Sequence, residues 1–347
     1  MSSAALSAHQ HLAALRWLLL SPPLLVPPGY TAQLAQLSPS ECSSIADWLA
    51  ALATDTTALV GWIQGRNAQR SEVRIGRYAE SLLAFYLTHG PQHRLVAAHV
   101  PLRTEVNGLK LTLGELDFLL TNASGQHLHW ELAVKFFLCM ATGPSATAAD
   151  FIGPNGVETL AHKWHKLFAK QLAHTPPPPW NQQPWQPQAF ARGHMFYRWG
   201  YSVPHCAALH PDHSIGWWID WADMAQLPQG QYAPLARLQW MAPVDSAVQL
   251  GPDAQVFTRT QMAAHLAQQW AAGTQRATDA QMVVLLPSAA EPVAHRFFIR
   301  PVAGVLGRRL GRRLLGLVSW QITTGRGRNL FWFSGSTAND GRACYKS

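Results

Sequence analysis

The chain has 347 residues, 48% of them hydrophobic and 13% charged; that is enough apolar surface for a sizeable core and too little charge for a disordered polar chain. Its formal net charge is +8, but residues 301–347 hold eight basic residues (Arg308, Arg309, Arg312, Arg313, Arg326, Arg328, Arg342 and Lys346) against one acid, Asp340, so residues 1–300 stand at +1. Four cysteines (Cys42, Cys139, Cys206 and Cys344) lie far apart without paired spacing, which excludes a disulfide scaffold or thiolate zinc finger and fits a cytoplasmic protein. The apolar stretch 15–26, broken by Arg16 and Pro22-Pro23, is too short for a membrane span or an ordinary signal peptide.

Apolar positions recurring every three or four residues predict helices over 6–20 and 45–63, the second capped by Ser38 or Ser40. A third helix, over 74–88, turns Ile75, Tyr78, Leu82, Leu83, Phe85 and Tyr86 toward a core. After Gly90-Pro91 the period falls to two, predicting strands over 94–104, 110–121 and 126–140, with turns at Asn107-Gly108 and Asn122-Ala123-Ser124-Gly125. A helix is expected over 157–174, a stiff extended connector through the proline-rich stretch 176–187, and a fourth strand over 189–199. The remainder reads as β-rich, with strands at 235–241, 282–286 and 295–300 and one helix over 261–272. This organisation divides the chain into a helical extension (1–73), a core (74–205), a β-rich part packed on it (206–300) and a basic tail (301–347). As a helix the tail would be basic and amphipathic, but Gly304, Gly307, Gly311 and Gly316 oppose one, and it reads equally as an arm for an anionic partner or as a divergent end.

The third predicted strand carries the chemistry. Alternation puts His127, His129, Glu131, Ala133 and Lys135 on one face and Leu128, Trp130, Leu132, Val134 and Phe136 on the other. Lysine is scarce, with six in the chain, and one inside Leu-Ala-Val-Lys-Phe-Phe-Leu is costly unless paired or used. On the preceding strand Glu115 and Asp117 share a face. Carboxylates beside a lysine are what magnesium-dependent phosphodiester hydrolysis uses: hard oxygen donors hold the ion while the ammonium orients water or offsets charge on phosphate. A structural Glu–Lys pair bridging strands is the plain alternative.

The order helix, three strands, helix, strand, with these residues on it, resembles the PD-(D/E)XK nuclease superfamily, an α/β (α+β) restriction-endonuclease-like core of αβββαβ order. In Gly76-Arg77-Tyr78-Ala79-Glu80, Glu80 takes the place of the first-helix glutamate; Gly114-Glu115-Leu116-Asp117 is similar to the metal-binding aspartate motif; Glu131 and Lys135 resemble the acid and lysine of the third strand; and Gln171 stands where several members carry a glutamine. Over roughly residues 10–300 the chain also resembles a bacterial family, domain of unknown function 1853, through 114–119, 129–136, Gly153-Pro154-Asn155, His210-Pro211-Asp212-His213 and Gly216-Trp217-Trp218. The superfamily resemblance implies Mg²⁺ (or Mn²⁺) held by Asp117 and Glu131 with help from Glu80 and Glu115, water oriented by Lys135, substrate positioned by Gln171, and a nucleic-acid partner, DNA or RNA. It also shows a departure. The acid usually stands two residues before the lysine, where this chain has Ala133. Two outcomes stay open: an active metal-dependent nuclease, or a nuclease-like module that binds nucleic acid or protein without catalysis.

Three weaker signals have structural explanations as their default. His205, Cys206, His210 and His213 match no zinc spacing and read as loop residues; Trp180, Trp185, Trp217 and Trp218 read as packing more than as base-stacking platforms; Lys163, His165, Lys166 and Lys170 form a basic helix edge, solvated unless it meets phosphate.

Overall fold

In a computed structural model of the chain, residues 6–26, 33–67, 74–106, 109–244, 246–251, 254–273 and 279–301 are described. The Asn107-Gly108 turn and the tail beyond residue 301 lie outside them. Helix α1 (Ala8–Leu20) begins in a capping box, with Ser7 and Gln10 satisfying each other's backbone N–H groups. Helix α2 (Pro39–Leu52) begins the same way on Ser38 and Glu41, which decides between the two serines. The single helix expected over 45–63 is two. The chain breaks after α2 because Thr54 Oγ1 turns back to the carbonyl of Ala51, and Asp55 accepts from the N–H of Thr57 to start α3 (Thr57–Asn67). Helix α4 (Ile75–His89) follows and stops at Gly90.

The three expected strands are present as β1 (His93–Val106), β2 (Leu109–Asn122) and β3 (His127–Cys139), antiparallel in sequence order. The second turn forms as the sequence implies. Asn122 Oδ1 accepts from the N–H groups of Ser124 and Gln126, and Gly125 takes φ +78°, which favours glycine. After the two-residue β4 (Phe151–Ile152), the expected long helix is α5 (Leu160–Lys166), passing into a π-helical turn over Leu167–Gln171. The proline-rich connector is not extended throughout. It makes a 3-10 turn at Trp180–Gln182, closed by Trp185 Nε1 donating to the carbonyl of Trp180.

Strand β5 (Gln186–Arg198) then runs parallel to β3. It is followed by β6 (Ser214–Asp220), β7 (Gln231–Pro234), β8 (Phe257–Thr258), α6 (Arg259–Ala271), β9 (Gln281–Leu285) and β10 (His295–Arg300). The segment expected as a strand at 235–241 is instead a 3-10 turn, Arg237–Met241, because Gln239 Oε1 caps the N–H of Ala236 and folds the chain back.

Among the described residues the ten strands form one mixed sheet in the order β1-β2-β3-β5-β6-β10-β9-β7-β8, with β4 beside β3. One core includes residues of α1 to α4 packed with Leu128, Trp130, Val134, Phe136 and Leu138 of β3. On the opposite face, Ala133, Phe137 and Cys139 join Leu160, Leu167, Phe168 and Leu172 of α5 and its π turn. Both faces of β3 are therefore covered, which is why its sequence reads as a nearly continuous apolar run. Among the described residues no helix is long and apolar enough to cross a membrane.

The β3–β5 contact and the buried imidazoles each generate a prediction. A Cβ on Gly193 would stand 2.0 Å from the carbonyl oxygen of Lys135, so Gly193→Ala must push β5 off β3 and lower stability to urea by on the order of 3 kcal/mol. Both ring nitrogens of His194 are buried without a hydrogen-bond partner, its ring stacked on Trp17 at 5.4 Å and Phe136 at 5.9 Å, and burial holds its pKa well below 6.5. Burial likewise lowers His11 to about 4. The unfolded chain takes up these protons first as pH drops. Stability is therefore complete above about pH 6.5 and is lost below it, by at most about 1.4 kcal/mol per pH unit for each imidazole. The fall in Tm below pH 6.5 is expected to be shallower in His194→Leu.

Candidate functional site

The ladder between β2 and β3 runs from Thr121 opposite His127 to Phe118 opposite Trp130 and then ends. The next rung would join Asp117 to Glu131. In its place the side chains take the backbone donors: Leu132 N–H donates to Asp117 Oδ2 at 2.9 Å, and Asp117 N–H donates to Glu131 Oε1 at 3.3 Å. Beyond this point β2 keeps only β1 as a partner, while β3 continues along β5. The two carboxylates thus sit in the crotch of a fork.

Glu131 is 0% exposed. Its Oε1 also receives His129 Nε2 at 2.9 Å, and its Oε2 receives Gln171 Nε2 at 2.7 Å from the π turn that crosses this face. Asp117 is half-buried, and its carboxyl is pushed well above the carboxylate range by burial first and then by the charge of Glu131, with Glu80 and Glu115 adding to it and Leu132 N–H opposing. Glu80 comes from α4, where burial pushes its carboxyl up against the pull of Arg77 and His99. Arg77 Nη1 reaches Glu80 at 2.8 Å and Glu115 at 3.4 Å, and His99 Nδ1 meets Glu115 at 3.0 Å. The structure therefore brings Glu80, Glu115, Asp117, Glu131 and Gln171 into one neighbourhood.

Lys135 stands four residues further along β3. The β3–β5 register is unbroken from Leu128 opposite Gln186 to Leu138 opposite Phe196, so no bulge shortens the strand. Four regular residues separate Glu131 from Lys135 by roughly 13 Å of strand at about 3.3 Å per residue. Buried Ala133 lies between them. Among the described residues Lys135 makes no hydrogen bond or ion pair. Burial, then Lys163, pulls its pKa below the ordinary lysine value, and Lys166 acts in the same sense, while Glu158 and Asp117 oppose.

The residues as arranged do not fit a magnesium ion. Mg²⁺ asks for oxygen donors at about 2.0–2.1 Å with room for several waters. Both oxygens of Glu131 instead face protein donors out of reach of solvent, and Glu80 and Glu115 are bound up with Arg77 and His99. Among the described residues no three His, Cys, Asp or Glu side chains are grouped to hold a metal.

Sequence reasoning missed Arg77, His99 and the role of His129. Arg77 was legible in part, three residues before Glu80 on one helix face. His99 was not. The β1 register places it opposite Asp117, with φ 55°, the one left-handed non-glycine residue among those described. Among the loop residues considered for zinc, His213 is bound by Tyr197 Oη at 2.7 Å and by the carbonyl of His210 at 2.6 Å. The tryptophans brace the fold, with Trp218 Nε1 donating to the carbonyl of Cys139.

A family model described as a domain of unknown function (DUF1853) matches residues 13–299. The chain belongs to that family. The matched span of DUF1853 runs from α1 into β10 and includes every residue of the fork and Lys135; its description names no activity. No curated protein and no solved structure matches the chain.

Asp117 supplies a test of whether the fork is built for stability. A carboxyl whose pKa is raised on folding contributes stability in acid, and that contribution is lost as pH rises. Asp117→Asn, which keeps an acceptor for Leu132 N–H, is therefore expected to raise the urea midpoint at neutral pH, with the gain shrinking toward pH 4. A lower midpoint at neutral pH would make the Asp117 anion a structural necessity.

Proposed function

We propose that this chain is a nuclease-like module that binds nucleic acid without cleaving it. The order α4, three antiparallel strands, α5 and a strand parallel to the third supports the likeness to the PD-(D/E)XK core. The observation that carries the loss of catalysis is the state of Glu131, the acid of the third strand. It is sealed by His129, Gln171 and the N–H of Asp117, and Lys135 sits four residues along a regular strand from it. Hydrolysis needs metal, water and lysine to converge on one phosphorus atom. The acid is closed to solvent, and the lysine stands four residues further along the strand.

Magnesium-dependent phosphodiester hydrolysis is the second reading. It is favoured by one observation, the gathering of Glu80, Glu115 and Glu131 around Asp117, whose charge they penalise.

The two are separated by incubating the purified protein with single- and double-stranded DNA and RNA in Mg²⁺ or Mn²⁺, beside a chelator control. Binding measured by fluorescence anisotropy with intact substrate is the expected result. Metal-dependent cleavage that disappears in a folded Asp117→Asn variant would replace the binding reading with hydrolysis.

A further inference from the structure

Past the fork the β1–β2 ribbon continues alone. Its ladder runs from Pro101 opposite Glu115 to Val106 opposite Leu109, and among the described residues no third strand pairs with this stretch. At Gly114 the ribbon still lies beside the body, where a Cβ would stand 3.9 Å from His174 Nε2. Beyond it Leu109, Leu111 and Leu113 are 68%, 48% and 63% exposed, whereas Leu116 and Leu119 of the same strand are 0% exposed. Among the described residues no other leucine is exposed.

The exposure is arranged by face. Alternation puts Leu109 and Leu111 on one side, while Arg103, Glu105 and Thr112 are exposed on the other. Leu113 is the extra residue where the register slips between Leu102 and Arg103, a bulge that adds twist to the ribbon. A two-stranded ribbon is marginal by itself and gains stability when its apolar face is covered. An open apolar face bordered by unpaired strand edges also marks a surface that takes a partner.

We propose that the leucine face of this arm, residues 101–113, packs against the same face of a second copy of the chain. The chemistry of the face selects that partner. Leucine offers no donor, acceptor or charge, so a polar surface laid on it loses water without gaining a hydrogen bond. The opposite side mixes Arg103 with Glu105, and Glu105 stands opposite Lys110 in the ladder. The arm therefore has no run of positive charge to draw a phosphate backbone or an acidic lipid surface. An aliphatic face is what fits, and the leucine row is such a face on the chain itself. A two-fold axis across the row sets leucine on leucine, the isologous arrangement common to dimers. The face is small. Two such arms fall at the low end of specific interfaces, below about 1,200 Å², so the dimer dissociates at about micromolar concentration. This dimer goes beyond the binding function proposed above and depends on neither reading of the fork.

The test is the mass of the full chain by sedimentation velocity, over a range of concentration reaching about 200 μM. Wild type is compared with Leu111→Arg, with the milder double change Leu109→Ser and Leu113→Ser, and with Val157→Ser, an 80% exposed apolar residue on a different element. Wild type and Val157→Ser are expected to pass from monomer to dimer as concentration rises. Both leucine variants are expected to need at least about tenfold more protein to do so, with the circular dichroism of the wild type retained. A wild type that stays monomeric at the highest concentration overturns the proposal. A dimer indifferent to both leucine variants places the contact elsewhere and overturns it too. A monomer that sediments with anionic vesicles through these leucines assigns the arm to a lipid surface, which also overturns it.

Discussion

The end of the β2–β3 ladder is the constraint around which this site is organised. At the rung where backbone pairing stops, the carboxylates of Asp117 and Glu131 take the N–H groups of Leu132 and Asp117 that a further rung would have used. An unpaired buried N–H is expensive, so a sheet that forks needs acceptors at the fork. Two adjacent acids meet that need at the expense of burial and of their own repulsion, which in that order raise the carboxyl of Asp117. The surrounding groups are the response to that expense: His129 and Gln171 donate to Glu131, while Arg77 and His99 stand among Glu80 and Glu115.

Coverage of both sheet faces then decides what each polar group of β3 does. Helices α1 to α4 take one face and α5 with its π turn takes the other. A fully buried polar group on β3 therefore meets another protein group or stays unpaired. Glu131 lies under Gln171 and is satisfied; Lys135, half-buried further along the strand, makes no hydrogen bond or ion pair among the described residues. Acid and lysine are thus set four residues apart on a regular strand, with small, buried Ala133 at the midpoint.

Much of the local structure was legible in the residues. Ser38 with Glu41 and Ser7 with Gln10 mark helix starts by interactions three residues apart, and Asn122 with Gly125 marks a turn within four. The failures share a cause. The apolar spacing across 45–63 is helical on both sides of Thr54-Asp55, and periodicity alone does not register two side chains that cap the backbone instead of continuing it. The stretch 235–241 alternates like a strand, but Gln239 closes it into a turn. Prolines around 176–187 read as an extended spacer until one tryptophan bonds the carbonyl of another.

The sequence by itself determined the order of helices and strands around the site, the family, and the fact that Glu131 and Lys135 share a face of β3, because alternation and capping are properties of neighbours in the chain. It also placed Asp117, Glu131, Glu80, Glu115 and Gln171 among the residues to watch. Only the tertiary structure decided which of them meet. Glu131 is reached by Gln171 from 40 residues away and by Asp117 from 14, and His99 comes to Glu115 across 16. Those distances depend on strand register and on where a helix docks. A sequence pattern records neither, since both are settled by packing among residues distant in the chain.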